Sequence, residues 1–314
     1  MKQLQLSQVH RSLGAKMMPF AGWEMPLKYT GIIDEHLTVR EKVGLFDISH
    51  MGEILVRGEN ALEFLQHITS NDVSRLEVDD AHYSTVLNER GGVKDDVFVY
   101  RIDEQEYMVV VNAVNDEKIR KWFQQQTQEK VEVKDITETT VMLALQGPKA
   151  QDVLQKSTDF ELSELKRFKV RQMKVASIES LVSRSGYTGE DGFELYIFDQ
   201  SKSDPQRAKR IWDELLRAGK DTDIRPCGLG ARDSLRLEAG FALYGHELTE
   251  EITPLEARIG FTVKYDKGEF IGREALLKQK ERGVNRKRIG LKMKDRGIPR
   301  RDHRILKDEK EIGR

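Results

Sequence analysis

Apolar residues along the chain alternate between strand-like and helix-like spacing, without the strand–helix–strand rhythm of a doubly wound sheet. GIIDEHLTVREKVG (31–44) predicts a helix closed by Gly44. MGEILVRG (51–58) alternates as a strand, and ENALEFLQHITS (59–70) carries its apolar residues at helical spacing. HYSTVLNERGGVKDDVFVYR (82–101) and EYMVVVNAV (106–114) predict strands joined by turns, an antiparallel meander. Asn115 and Asp116 then cap a helix, DEKIRKWFQQQ. VMLALQGPKAQDVLQ (141–155) reads as a strand and a helix, with Pro148 in the first helical turn. VASIESLVSRSGYTGEDGFELYIF (175–198) predicts two strands around the turn TGEDG, and RPCGLGARDSLRLEAG (225–240) a helix closed by Gly240. RKRIGLKMK (286–294) has the pattern of one more strand, in a further β domain. Strands followed by helices in this order predict the α+β class.

A length of 314 residues implies roughly two domains, or three. With 33% charged and 38% hydrophobic residues and a net charge of −1, the chain as a whole is no polyanion binder. The average hides a local excess: residues 278–307 hold thirteen Lys and Arg against three acids. Such a segment is a solvated face, a dock for an acidic protein, or a nucleic-acid contact; the lack of interleaved aromatics speaks against the last. The single cysteine, Cys227, excludes an intrachain disulfide and a cysteine-based zinc site, and fits a cytoplasmic, reducing location. MKQLQLSQVH has no apolar segment of the signal-peptide kind, and nothing approaches the ~18 apolar residues of a membrane span.

Several chemistries lack their residues. There is no G-x-x-x-x-G-K-S/T and no G-x-S-x-G. GLGARD (228–233) has Asp where a dinucleotide fingerprint needs its third glycine, and Pro226 precedes it where a buried parallel strand belongs. His10, His36, His50, His67, His82, His246 and His303 are scattered without metal-ligand spacing, so no metal is predicted.

What remains is a set of carboxylates on strands. In GGVKDDVFVY (91–100), alternation puts Asp96 on one face with Phe98 and Tyr100, and Asp95 on the other with Val97 and Val99. A carboxylate beside two rings in a partly dry cleft gains proton affinity. On spacing alone the simpler reading is that both acids close a Gly-Gly turn. In GYTGEDGFELYI (186–197), Glu194 and Tyr196 share a face opposite Phe193, Leu195 and Ile197, although a mid-strand Glu most simply faces water. On the helix, Arg232 and Arg236 lie four residues apart on one face and need separate anionic partners, which Asp233 and Glu238 could supply. Two carboxylates, several aromatics and an arginine suit a flat polar heterocycle such as an amino-pyrimidinone.

Taken with FAGWEMPLKY (20–29), GLFDISHMGE (44–53), NDVSRL (71–76), ALQGPKA (144–150), SGYTGEDGFELY (185–196) and PCGLGARDSLRLEAGFALYG (226–245), these residues resemble the aminomethyltransferase family, the T protein of the glycine cleavage system. The match runs in order over residues 8 to 314. The resemblance implies a cloverleaf of two mixed α+β subdomains with antiparallel sheets and a C-terminal β-barrel. Residues 1–250 would form the folate-binding catalytic region, as subdomains 1–50 plus 137–250 and 51–136; residues 251–314 would begin the barrel, left incomplete. It implies transfer of an aminomethyl-derived methylene group from the lipoyl arm of the H protein to tetrahydrofolate as co-substrate, with release of ammonia and formation of 5,10-methylenetetrahydrofolate. Lipoylated H protein and folate would be the partners, with no nucleic acid, membrane, metal or nucleotide. By motif position Asp96 would be the catalytic carboxylate, and Glu194 and Arg232 folate contacts; Tyr83, Tyr100, Asn112, Tyr187 and Met51 would line the pocket. An anion at that point would stabilise developing positive charge and manage the folate protons. Two departures stand out: the family usually has Trp near Phe261, and it continues into a T-S-G-x-x-S-P segment with further barrel strands. The rivals are another folate-dependent transferase or demethylase of the superfamily, and a non-enzymatic folate-binding scaffold, whose K-G-C-x-x-G-Q-E motif is absent.

Overall fold

Strict alternation along Val93–Asp103 decides what each face of the central strand meets. In the computed structural model, which describes residues 1–127, 129–299 and 303–313, this strand is second in a five-stranded antiparallel sheet. Its neighbours in order are Asp80–Leu87 on one side, then Glu106–Val111, Gly52–Arg57 and Glu132–Asp135 on the other. Val97 and Val99, with Ile54, Val56, Val109 and Val111, point to helices Ala61–Ile68 and Asp116–Gln126. The helices answer with Phe64, Leu65, Ile119 and Phe123 at helical spacing, and Phe64 meets Phe123 edge-on at 5.8 Å. Phe98, Tyr100, Met108 and Val110 point the other way.

That second face packs on another sheet. Its six strands run Val170–Val175, Ile178–Ser183, Gly192–Ile197, Val141–Gln146, Gly44–Asp47 and Arg225–Pro226, antiparallel except for the last pair. Phe193, Leu195 and Ile197 cover the far side under helices Ala150–Gln155 and Gln206–Ala218, the latter burying Ile211, Trp212 and Leu215. Tyr196 faces inward with Phe46, Met142, Ala144 and Leu181, and helix Leu229–Glu238 closes this layer with Ala231 and Leu235. Two sheets therefore share one core, and the faces assigned to Asp96 and Glu194 by alternation turn toward it.

Residues beyond Gly240 pack across the strand ends, where Ala242, Leu248, Ile259, Val263 and Phe270 bury Leu87 and Val93. Lys267 ties this layer down by donating to the carbonyl oxygens of Gln66, Thr69 and Asn71 at 2.6, 2.6 and 2.8 Å. It thereby satisfies acceptors around a helix C-terminus, where a cation is favourable.

The α+β class and the meander stand as the sequence predicts, and among the described residues no barrel closes. Local details differ. The first long helix ends at Glu41, and Gly44 opens a strand instead; a Cβ there would meet Val39 Cγ2 and Cys227 Sγ within 2.7 Å. Pro148 lies in the turn ahead of its helix, which begins at Ala150. Pro226 does stand in a parallel pairing, but on a two-residue edge strand where its missing N–H costs nothing. RKRIGLKMK forms no strand among the described residues: Ile289, Leu291 and Met293 are exposed, and the Arg288 N–H donates to the Glu256 carbonyl oxygen at 2.9 Å without a ladder following from it. Beyond residue 270 the described residues form the helix Arg273–Arg282 and the hairpin Ile305–Lys307 with Lys310–Gly313.

Candidate active site

The turn before Val93 is built by Asn88. Its Oδ1 accepts from the N–H groups of Arg90 and Gly92 at 3.0 and 2.9 Å, while Gly91 takes φ +81°, a conformation glycine adopts without strain. The Val93 N–H then donates to the carbonyl oxygens of Thr249 and Ile252, so the C-terminal layer grips the start of the strand.

Asp96 sits on the inter-sheet face. Tyr83 Oη donates to its Oδ2 at 2.7 Å, and Asn112 Nδ2 donates to its Oδ1 at 2.8 Å. Burial pushes the Asp96 carboxyl above its ordinary range, against the pull of these two donors. Burial and the Asp96 charge push the Tyr83 phenol up, so it stays a donor. A carboxyl group held by neutral donors and raised in proton affinity is equipped to take and return a proton.

Asp95 departs from the sequence reading. It is not a turn acid: it is fully buried on the opposite face beside Val97 and Val99. Asn115, expected to cap its helix, makes no side-chain cap bond and donates instead to Asp95 Oδ1 at 2.5 Å.

At the other end of the inter-sheet row lies Glu194, buried rather than facing water. Ser185 Oγ donates to its Oε2 at 2.5 Å, Tyr100 Oη reaches the same oxygen at 3.5 Å, and Tyr196 Oη donates to Tyr100 Oη at 2.9 Å. Burial raises the Glu194 carboxyl; Ser185 and Arg232 oppose that. Asp96, Phe98 and Tyr100 follow one another on one strand face, so Asp96 and Tyr100, whose Oη reaches Glu194, stand about 13 Å apart along the strand. The span is lined by rings, Phe98 lying 5.3 Å from Tyr100 and 6.5 Å from Tyr83.

Arg236 pairs with Asp233, as the sequence offered, at 2.9 Å, and with Glu247, which it did not name, at 2.8 Å, while Glu238 pairs with Arg40 at 2.7 Å. Arg232 has no hydrogen-bond or ion-pair partner for its guanidinium among the described residues. It stands 4.7 Å over the Tyr187 ring, with Glu194 among the charges it feels. Tyr187 in turn stacks on Phe241 at 5.7 Å and donates to the Ala242 carbonyl oxygen. Met51 packs at the edge of the inter-sheet core. The structure thus joins Tyr83, Asp96 and Asn112 in one cluster, Tyr100 and Glu194 in a second, and Tyr187 with Arg232 in a third. Sequence reasoning gave Asp95 to a turn and Asn115 to a cap, and passed over Ser185, Phe241 and the buried His50. Burial and Arg232 push His50 down to about 3, so it is neutral at pH 7. Only Asp95 carried a usable signal, a carboxylate in phase with core valines.

Glu53 provides a pH test of the shared core. It is fully buried with both carboxyl oxygens unpartnered, and burial, then Asp116 and Asp135, push its carboxyl well above the usual range. The folded state therefore binds this proton more tightly than the unfolded chain. Stability from this group is fully present below the unfolded carboxyl range and declines as pH rises toward the folded value, by about 1.4 kcal/mol per pH unit. Glu53→Gln lacks the proton and should gain on the wild type as pH rises from 5 to 8. Urea denaturation at four pH values measures this, and a pH-independent difference would contradict it.

Comparison with known proteins bears on the family and the fold. The model of the GCVT N-terminal domain family matches residues 6–267. An aminomethyltransferase of Caldanaerobacter subterraneus subsp. tengcongensis is 48% identical over 315 residues, covering 100% of this chain and 83% of that protein. One from Desulforamulus reducens is 48% identical over 313 residues, covering 100% and 84%. The crystal structure of glycine cleavage system aminomethyltransferase T from Bartonella henselae superposes with a TM-score of 0.81 at 37% identity, covering 90% of this chain and 75% of that one.

Proposed function

The chain belongs to the aminomethyltransferase family of the glycine cleavage system, and from that premise we propose that it moves the aminomethyl-derived methylene group from the lipoyl arm of an H protein to tetrahydrofolate, releasing ammonia and forming 5,10-methylenetetrahydrofolate. The observation that carries this reading is the row of rings between two carboxyl groups, the half-buried Asp96 clamped by Tyr83 and Asn112 and the buried Glu194 by Ser185 and Tyr100. Glu194 supplies the acceptor for the paired N–H groups of an amino-pyrimidinone edge, and Arg232 a free guanidinium for a carbonyl or carboxylate of the same ligand. Tyr100, Tyr187 and Met51 enclose the flat ring. Asp96, at the far end of the row, holds the proton that the reacting nitrogen gives up and faces the positive charge that develops there. The reaction is tested directly by adding H protein loaded with the aminomethyl group and tetrahydrofolate, and following ammonia. Release that needs tetrahydrofolate supports the reading; no release with the loaded carrier, but turnover of a free methylated amine, would move the chain to a demethylase.

Glu194→Gln should weaken tetrahydrofolate binding by about 1–3 kcal/mol, because the amide presents one donor where the ligand also donates. Calorimetric titration checks this, and wild-type affinity would remove Glu194 from the ring-binding role.

The exposed basic segment is our candidate dock for the carrier, on its charge and on the acidity expected of H proteins. Arg286 is already engaged with Glu256 and the Glu251 carbonyl oxygen, whereas Lys287, Lys292 and Lys294 are exposed; residues 300–302 of the segment lie outside the described residues. Reversing these three lysines to Glu should raise KM for the carrier severalfold at low salt and leave tetrahydrofolate affinity unchanged. An unchanged carrier KM at low salt would place the dock elsewhere. A cytoplasmic location remains our reading, from the single buried Cys227 thiol.

A further inference from the structure

The carboxylate on the reverse face of the same strand has no part in the scheme above, yet it is built into the fold with more donors than Asp96 itself. Asp95 Oδ2 accepts from the Asn112 N–H at 3.0 Å, and Oδ1 accepts from Asn112 Nδ2 at 2.8 Å and Asn115 Nδ2 at 2.5 Å. The same Asn112 Nδ2 lies 2.8 Å from Asp96 Oδ1. One amide thus bridges two carboxyl groups that alternation has placed on opposite faces. We propose that Asp95 is a positioning residue which, braced by Asn115, fixes the Asn112 amide against Asp96 and couples the charge of one carboxyl group to the other. The proposal rests on the reading of Asp96 as the catalytic carboxylate.

A packing role alone does not account for this arrangement. The neighbours of Asp95 on its face are valines, and an apolar side chain would fill the site without desolvating a carboxylate. Asn115 gives up the capping of its own helix to reach Asp95. No cation hydrogen-bonds to either carboxyl group among the described residues to screen one from the other. The ionisable groups facing the pair are Tyr83 from the preceding strand, Tyr187 from the turn ahead of Gly192–Ile197, Tyr244 and Glu247 from the segment after Gly240, and Lys118 from helix Asp116–Gln126. Lys118 is occupied by Tyr244 Oη at 2.9 Å and Glu250 at 3.3 Å. Burial, then the Asp96 charge, push the Asp95 carboxyl up, so Asp95 is the member of the pair that holds its proton once Asp96 is ionised. Asp95 then acts as a buried reserve whose protonation state Asp96 senses through one shared amide.

Two measurements test this. In protein carrying 13C-labelled aspartate, carboxyl NMR should show one buried group titrating above the ordinary carboxylate range, and in Asp96→Asn that step should move to lower pH. Ordinary, independent titration of both carboxyl groups would overturn the proposal whatever the activity. In Asp95→Asn, the new NH2 opposes an amide donor, so kcat should fall tenfold or more. Turning the Asn112 amide away also removes a donor that lowers the Asp96 carboxyl, so the acid limb of kcat/KM should move to higher pH. Reduced activity with an unmoved acid limb would show a merely structural role and overturn the coupling. If Asp95→Asn does not fold, the NMR titration of the wild type and Asp96→Asn decides alone. Full activity of Asp96→Asn would instead overturn the assignment of Asp96, a separate outcome from loss of the coupling.

Discussion

Asp96→Asn should lower turnover by about 10²–10⁴, the worth of a positioned acid–base group, while tetrahydrofolate binding weakens less than about tenfold. The amide occupies the same volume and can still accept from Tyr83, now 2.7 Å from Oδ2, so the ring-binding end of the site keeps its shape. What it loses is the charge and the proton acceptor. The wild-type pH profile carries the same information. Because burial raises the Asp96 carboxyl, the acid limb of kcat/KM should lie above the ordinary carboxylate range, with activity falling tenfold per pH unit below it. The residual activity of the Asn variant should lack this limb. A folded Asp96→Asn enzyme with wild-type turnover and an unchanged acid limb would transfer the proton chemistry to another group.

How far this site could be read beforehand depended on the range of the contacts involved. Alternation has a period of two and needs no partner, so it put Asp96 with Phe98 and Tyr100, and Glu194 with Tyr196, on the faces where the structure has them. It also put Asp95 in phase with Val97 and Val99, but the pattern could not say that this face is sealed by two helices; turn chemistry then supplied a simpler and incorrect account. Asn115 went astray for the same reason: a cap is a local rule, whereas its partner Asp95 lies twenty residues back across a strand pair. The division of labour between Arg232 and Arg236 turned on Glu247, in a loop whose path no local pattern fixes. RKRIGLKMK shows the converse, a valid strand pattern whose one backbone bond to a neighbour, Arg288 N–H to the Glu256 carbonyl oxygen, does not extend into a ladder among the described residues.

Gly92 should be less tolerant of a methyl group than its neighbour, with consequences that reach Asp96. Gly91 takes φ +81°, so Gly91→Ala incurs about 1–2 kcal/mol of left-handed strain, and the nearest obstacle is the Leu276 side chain at 2.9 Å. Gly92 has no such backbone demand; its constraint is contact. A Cβ there would fall within the van der Waals radius of the Glu250 carbonyl oxygen, with the carbonyl carbon at 2.5 Å and Asn88 Nδ2 at 2.9 Å. The backbone it strikes cannot retreat freely. The Glu250 carbonyl oxygen accepts from Asn88 Nδ2 at 3.0 Å, the flanking Thr249 and Ile252 carbonyls accept from Val93, and the Glu250 side chain is paired with Lys118 and Lys94. Either that clasp opens or the strand shifts at its start. Gly92→Ala should therefore lose at least the 1–3 kcal/mol typical of overpacking. Since Asp95 and Asp96 follow three and four residues later, a displacement of about 1 Å at the carboxylate should cost roughly 10² in turnover. Urea denaturation and the coupled ammonia assay, run where the variant remains folded, measure the two effects separately. Wild-type stability together with wild-type turnover would show that the clasp yields to the methyl group and that the double glycine serves only the turn.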